Sequence, residues 1–212
     1  EEEWQHHKDK STTLTDAEIN RVKSFFTEPA YAQLENNSAS FIEQKKAHKG
    51  FANWLVRNTH EHKKPGYSIV TLTLKKTGVP PGDASDKQVE AIAEMADNYS
   101  FGEVRVTHDQ NIVLADVRQD QLFDLWQDAK KAGFATPNLN MLTDIICCPG
   151  GDFCGLANAK SIPVAEQLQI KFDDLDFIYD IGELHLNISG CMNACGHHHV
   201  GNIGILGVDK RG

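Results

Sequence analysis

Val104-Arg105-Val106-Thr107-His108-Asp109-Gln110-Asn111-Ile112-Val113-Leu114 is the stretch from which the fold can be read. β-branched and apolar residues flank a polar turn, so 104–107 and 112–114 read as two short strands around 108–111. Upstream, Ser85 or Asp86 starts a helix with Val89, Ile92, Ala93 and Ala96 on one side. A Gly/Pro-rich loop, 78–83, separates that helix from Ser68-Ile69-Val70-Thr71-Leu72-Thr73-Leu74, a β-rich run. Downstream, Asp120-Gln121 opens a second helix with Leu122, Leu125, Trp126 and Ala129 apolar, and Gly133 ends it. Strand, helix, strand, strand, helix is most of a ferredoxin-like βαββαβ unit, so the expected class is α+β. The word names a fold and says nothing about iron.

Residues 1–66 read as a polar, mostly helical arm. Thr15 or Ser11 caps a helix through Glu18, Ile19, Val22 and Phe25-Phe26, stopped by Pro29. A second helical stretch spans 38–56, with Phe41, Ile42, Phe51, Trp54 and Leu55 as its apolar face. His48, His60 and His62 have no neighbours at ligand spacing and read as solvated. The ferredoxin-like unit is set at 67–138, and 139–212 forms a further unit. There a helix is expected after Cys154, through Leu156 to Leu168, with Pro163 forcing a kink or a new start. An acidic loop at 173–176 leads to a strand at 184–188, and 203–208 reads as another strand.

The chemistry-bearing residues lie in this last unit. Cys148-Pro149-Gly150-Gly151-Asp152-Phe153-Cys154 carries a C-x5-C pair, and Ser189-Gly190-Cys191-Met192-Asn193-Ala194-Cys195-Gly196 a C-x3-C pair. Glycines beside both pairs let the backbone bend and approach a bound object. Four thiolates are the usual ligand set of a cubane iron–sulfur cluster, whereas structural zinc usually takes tighter C-x2-4-C spacing. The fifth cysteine, Cys147, is one position out of register with Cys148. On an extended backbone such neighbours face opposite sides, so only one of them serves the same site. His197-His198-His199 invites a zinc reading with Cys191 and Cys195, but consecutive histidines share one ion only if the backbone bends sharply.

Composition narrows the classes. The chain has 212 residues, 40% hydrophobic and 24% charged, which is ordinary globular material. Its net charge of −9 argues against nucleic-acid binding. No apolar run reaches the roughly 18 residues of a membrane span. Five cysteines, four of them confined to two loops, do not form a secreted disulfide framework, and a reducing, cytoplasmic setting is expected. The start Glu1-Glu2-Glu3, with no initiator Met, reads as a segment of a longer protein. No P-loop, nucleophile elbow or dinucleotide fingerprint is present, so electrons must come from another protein or domain.

Cys148-Pro149-Gly150 with Cys154 and Ala157-Asn158-Ala159, followed by residues 188–199, resembles the sirohaem-dependent nitrite and sulfite reductases. Residues 105–111 resemble the strand–turn of that family's ferredoxin-like repeat. The resemblance implies a [4Fe–4S] cluster on Cys148, Cys154, Cys191 and Cys195, with Cys195 bridging to the sirohaem iron as the catalytic thiolate. The reaction implied is reduction of sulfite to sulfide or nitrite to ammonia. Arg105 and Asn193 are further candidates for holding the cofactors. Other cations available to sirohaem carboxylates are few: Lys160, Lys210, Arg211 and Lys75-Lys76. The family carries its ferredoxin-like and catalytic units twice, and only one copy is present. The chain therefore reads as a C-terminal half whose partners are the anion, an electron donor and a missing N-terminal half. The alternatives are an iron–sulfur electron-transfer protein without sirohaem and a zinc-stabilised interaction module.

Overall fold

The computed structural model describes residues 1–8 and 13–209. They fall into two units, Glu1–Ala32 and Gln33–Gly212. The first holds α1 (Glu2–His7) and α2 (Asp16–Lys23). Thr15 caps α2, its hydroxyl accepting the Glu18 amide at 3.2 Å. Ser11, the other cap candidate, lies outside the described residues. The helix stops at Lys23, short of the expected Phe25-Phe26, and both phenylalanines are exposed.

The second unit begins with α3 (Ala39–Ala47) and α4 (Lys49–Asn58), where one continuous helix was expected. His48 breaks it, extended at φ −125°, ψ 94°. Phase explains the break. Ten residues of unbroken helix would leave Phe41 and Phe51 about 80° apart around the axis. Split, the two rings meet edge-to-face at 6.3 Å and share one core.

β1 (Thr59–Glu61), β2 (Tyr67–Leu72), α5 (Asp86–Tyr99), β3 (Arg105–Val106), β4 (Ile112–Arg118) and α6 (Leu122–Ala132) follow. The strands form an antiparallel sheet in the order β1-β2-β4-β3. The α+β, ferredoxin-like reading holds, with one change of parts. The edge beside β2, where the closing strand of a βαββαβ unit would lie, is taken by β1 from ahead of the unit. The start and stop signals behave as their chemistry demands. Ser85 and Gln88 close a reciprocal capping box on α5, and Gly133 ends α6 in the left-handed region at φ 87°. Trp54, Leu72, Leu114, Leu122 and Leu125 are buried between the helices and the sheet. His62 is not a solvated histidine on a helix. It follows β1, its Nδ1 accepts the Lys64 amide at 2.9 Å, and its buried Nε2 lies 3.2 Å from Asp116 Oδ1.

A second sheet, all parallel, orders β5 (Ile146–Cys147), β6 (Leu186–Ser189) and β7 (Ile203–Leu206) side by side. Between β5 and β6 lie α7 (Ile162–Lys171) and α8 (Leu175–Ile181). Pro163 sits in the first turn of α7, so it starts the helix. The expected helix from Leu156 is absent because its backbone is committed elsewhere: the Asn158 and Ala159 amides both bond Gly190 O, at 2.8 and 3.0 Å. The acidic stretch expected as a loop contains the cap of α8, Asp174 Oδ1 accepting the Phe177 amide at 3.1 Å. Met141, Ile145, Ala165, Ile178 and Ile188 pack in the core of this region.

Candidate metal centre

Both cysteine loops leave the carboxyl ends of neighbouring parallel strands, where open α/β sheets place their ligand sites. The first loop continues from β5. The Cys148 amide bonds Ile188 O at 3.1 Å, extending the ladder by one step. The chain then turns at Gly150, φ 57°, and the Cys154 amide returns to Gly150 O at 2.9 Å. The second loop leaves β6 at Ser189, whose hydroxyl accepts the Gly196 amide at 3.1 Å. Tight turns follow, with Ala194 and His197 both at positive φ.

The loops touch through glycine. A Cβ on Gly190 would lie 2.7 Å from Ala159 O and 3.0 Å from Gly150 Cα, so no side chain fits where the loops cross. Their meeting encloses a mainly apolar cavity of about 70 Å³. Cys148, Cys154, Cys191, Cys195 and Asn193 all line it, with Pro149, Leu156 and Ala157 among its apolar walls. Cys148 and Cys191 are buried, Cys154 is half-buried and Cys195 is exposed.

Hydrogen-bond donors already face the innermost sulfur. The Gly190 amide donates to Cys148 Sγ at 3.1 Å, and the Ser161 hydroxyl stands 3.4 Å from the same atom. Contacts of this kind tune a bound metal. Cys147 turns the other way. It packs with Met141, Ile145 and Ile188, is absent from the cavity wall, and burial pushes its thiol up to about 12.

Among the described residues, no three of His, Cys, Asp and Glu are arranged to hold one metal ion. A mononuclear zinc needs such convergence, whereas a four-iron cluster gives each thiolate an iron of its own. Four thiols around one apolar cavity, with an amide donor on a sulfur, fit the cluster. The three histidines do not line this cavity. His198 Nδ1 is buried without a hydrogen-bond partner among the described residues, and His198 and His199 meet edge-on at 5.4 Å. Asn193 makes no side-chain hydrogen bond to a sulfur among those described.

The cations expected around a carboxylate-rich cofactor have other engagements. Arg105 is exposed on β3 and ion-paired to Glu103 at 2.8 Å, outside the cavity wall. Lys160 pairs with Asp152 at 2.7 Å. Lys75 is completely buried, its Nζ bonding Asp109 O at 2.7 Å and Ile145 O at 2.9 Å, with Asp144 Oδ1 at 3.4 Å. Burial depresses its pKa and Asp144 pulls it part of the way back. Lys75 is therefore a structural cation, unavailable to a ligand. Lys210 and Arg211 lie outside the described residues.

The profile of the nitrite/sulfite reductase ferredoxin-like half domain matches residues 60–132, from within β1 to the last residue of α6. That part of the chain resembles the nitrite/sulfite reductase family. The chloroplastic ferredoxin–nitrite reductase of Betula pendula is 28% identical over 157 residues, covering 72% of this chain and 25% of that protein. The assimilatory ferredoxin-dependent nitrite reductase of Haloferax mediterranei is 30% identical over 119 residues, covering 55% of this chain and 20% of its own length. A ferredoxin sulfite reductase of Mycolicibacterium paratuberculosis is 26% identical over 63% of the chain. Among solved structures, the NirA protein of Mycobacterium tuberculosis superposes with a TM-score of 0.60 at 23% identity, covering 73% of this chain and 28% of that one. That likeness concerns the fold. The chain thus spans about a quarter of the length of the family members it matches.

Two contributors near the cavity were not foreseen in the sequence: Ser161, and the side chain of Gln110, which bonds the backbone next to the first cysteine. Nothing local marks either, because both act on residues distant in the chain.

Proposed function

We propose that this chain carries the metal-binding part of a sirohaem-dependent nitrite or sulfite reductase. Cys148, Cys154, Cys191 and Cys195 would hold a [4Fe–4S] cluster. The observation that carries this is the cavity itself: two loops, crossing at glycines, bring these four thiols to one apolar wall and leave Cys147 out. Cys195, the exposed thiol of the set, is the one proposed to bridge to sirohaem. When bound, the two groups supply the electrons that reduce the anion, sulfite to sulfide or nitrite to ammonia.

The protein's own part is positioning and exclusion of water. The Gly190 amide and Ser161 hydroxyl stabilise negative charge on Cys148, while Pro149, Leu156 and Ala157 keep the site apolar. The cavity wall has no Lys or Arg among its described residues, so the cations that grip the anion are proposed to come from a second, related half of the enzyme. The electron donor is a ferredoxin or an equivalent domain, and the setting is cytoplasmic. No helix among the described residues is long and apolar enough to cross a membrane.

Iron, acid-labile sulfide and the visible spectrum of the protein made in a host that synthesises sirohaem test this reading. About four iron and four sulfide per chain are expected. Iron and sulfide without a tetrapyrrole band would leave a simple electron-transfer protein. Stoichiometric zinc without sulfide would overturn the cluster.

A further inference from the structure

The first cysteine loop hangs on a strand only two residues long, Ile146–Cys147. One edge of β5 is paired to β6. Hydrogen bonding alternates along a parallel strand. With the Cys148 amide on Ile188 O, the N–H and C=O of Cys147 face the opposite edge. No strand among the described residues lies there, and Cys147 is buried, so both groups need partners.

Gln110 supplies both. Its Oε1 accepts the Cys147 amide at 2.9 Å, and its Nε2 donates to Cys147 O at 2.8 Å. The carboxamide stands in for one residue of a missing strand. Gln110 reaches this place from a turn in the left-handed region, φ 59°, between β3 and β4. Neighbours fix that turn to the same segment. Asn111 Nδ2 bonds Asp144 Oδ1 at 3.0 Å, and Lys75 ties Asp109 O to Ile145 O.

We propose that Gln110 is the positioning residue that sets the register of the first cysteine pair. By holding the backbone of Cys147 from the side opposite β6, it points that side chain into the core, and strand alternation then delivers Cys148 to the cavity. Without the clamp the two neighbouring thiols compete for one place. The inference rests on the cluster reading for its purpose, while its geometry concerns the protein alone.

The test therefore has a metal-free arm. In the apo chain, brief alkylation with iodoacetamide and peptide mass spectrometry gives the labelling ratio of Cys148 to Cys147. In the wild type Cys148 should label first, and in Gln110→Leu the ratio should fall towards one. After anaerobic reconstitution with ferrous iron and sulfide, the variant should lose iron to a chelator about tenfold more readily. Asn138→Ala is the control. It removes bonds to Lys75 O and Thr143 Oγ1 in the same region without touching Cys147, and should lower stability but keep the wild-type ratio. Should Gln110→Leu not fold, Gln110→Glu carries the test, because it keeps an acceptor for the amide and loses the donor. An unchanged ratio in the Gln110 variants, or an equal change in Asn138→Ala, overturns the clamp. A wild type that takes up no cluster overturns the functional reading instead, and the alkylation arm still decides the role of Gln110.

Discussion

Cys147 and Cys148 are chain neighbours, and the Cys147 thiol donates to Cys148 O at 3.2 Å, yet the two sulfurs lie in different surroundings. One thiol packs against Met141 and Ile188, and the other accepts an amide proton beside a cavity. Their replacement by alanine should separate two quantities. Cys147→Ala removes a buried sulfur from the core, a loss of about 1 kcal/mol in stability, and should leave iron content nearly unchanged. Cys148→Ala should abolish the cluster, and it too should cost about 1 kcal/mol in the apo protein, because the buried Gly190 amide loses its acceptor. Thermal melts and iron assays on the same preparations measure both, and equal iron losses would show that the register has been misassigned. The vicinal pair and its alternation could be read from the sequence. What holds it could not, because a carboxamide 37 residues upstream leaves no local pattern.

Elements whose limits are set by adjacent residues were the readable ones. The capping box of α5 and the glycine ending α6 lie within one helical turn of what they control. Misreadings arose where a distant partner decided the outcome. Residues 156–159 keep a helix-compatible composition yet spend their amides on Gly190 O. The break at His48 serves a core that Phe41 and Phe51 reach together. Contact between α5 and α6 offers a test of such non-local bonding. Tyr99 donates to Asp128 Oδ2 at 2.8 Å, and burial, reinforced by that carboxylate, pushes the phenol up to about 12 from its ordinary 10.0. The neutral phenol is the donor. Its contribution is whole below the unfolded-state value and is lost as pH rises from about 10 towards 12. Tyr99→Phe should cost about 1 kcal/mol at neutral pH and flatten the alkaline fall in stability. Denaturant melts at pH 8 and above pH 10 would show it, and a variant with the wild-type slope would disprove the link.

At the scale of the whole molecule, charge is the informative deficit. A net charge of −9 and a cavity wall without described Lys or Arg offer no attractive field to a small anion. Two of the candidate cations are already engaged, Lys160 on Asp152 and Lys75 on backbone carbonyls. Both cysteine loops nevertheless come from this chain, and binding of the proposed cluster would draw on the free energy that orders such loops. The 212-residue chain, incubated anaerobically with iron and sulfide, should therefore take up a cluster that oxygen or chelators readily remove. Supplied with sirohaem as well, it should show no tetrapyrrole band after gel filtration. With a low-potential dye as donor it should reduce neither nitrite nor sulfite. Air should then oxidise the released thiols, Cys191 to Cys195 or either to the first pair, which peptide mapping under non-reducing conditions would detect. Bound sirohaem with turnover from this chain alone would show that the residues gripping the anion are already within it. Lys210, Arg211 and Arg105 released from Glu103 would then be the first side chains to replace.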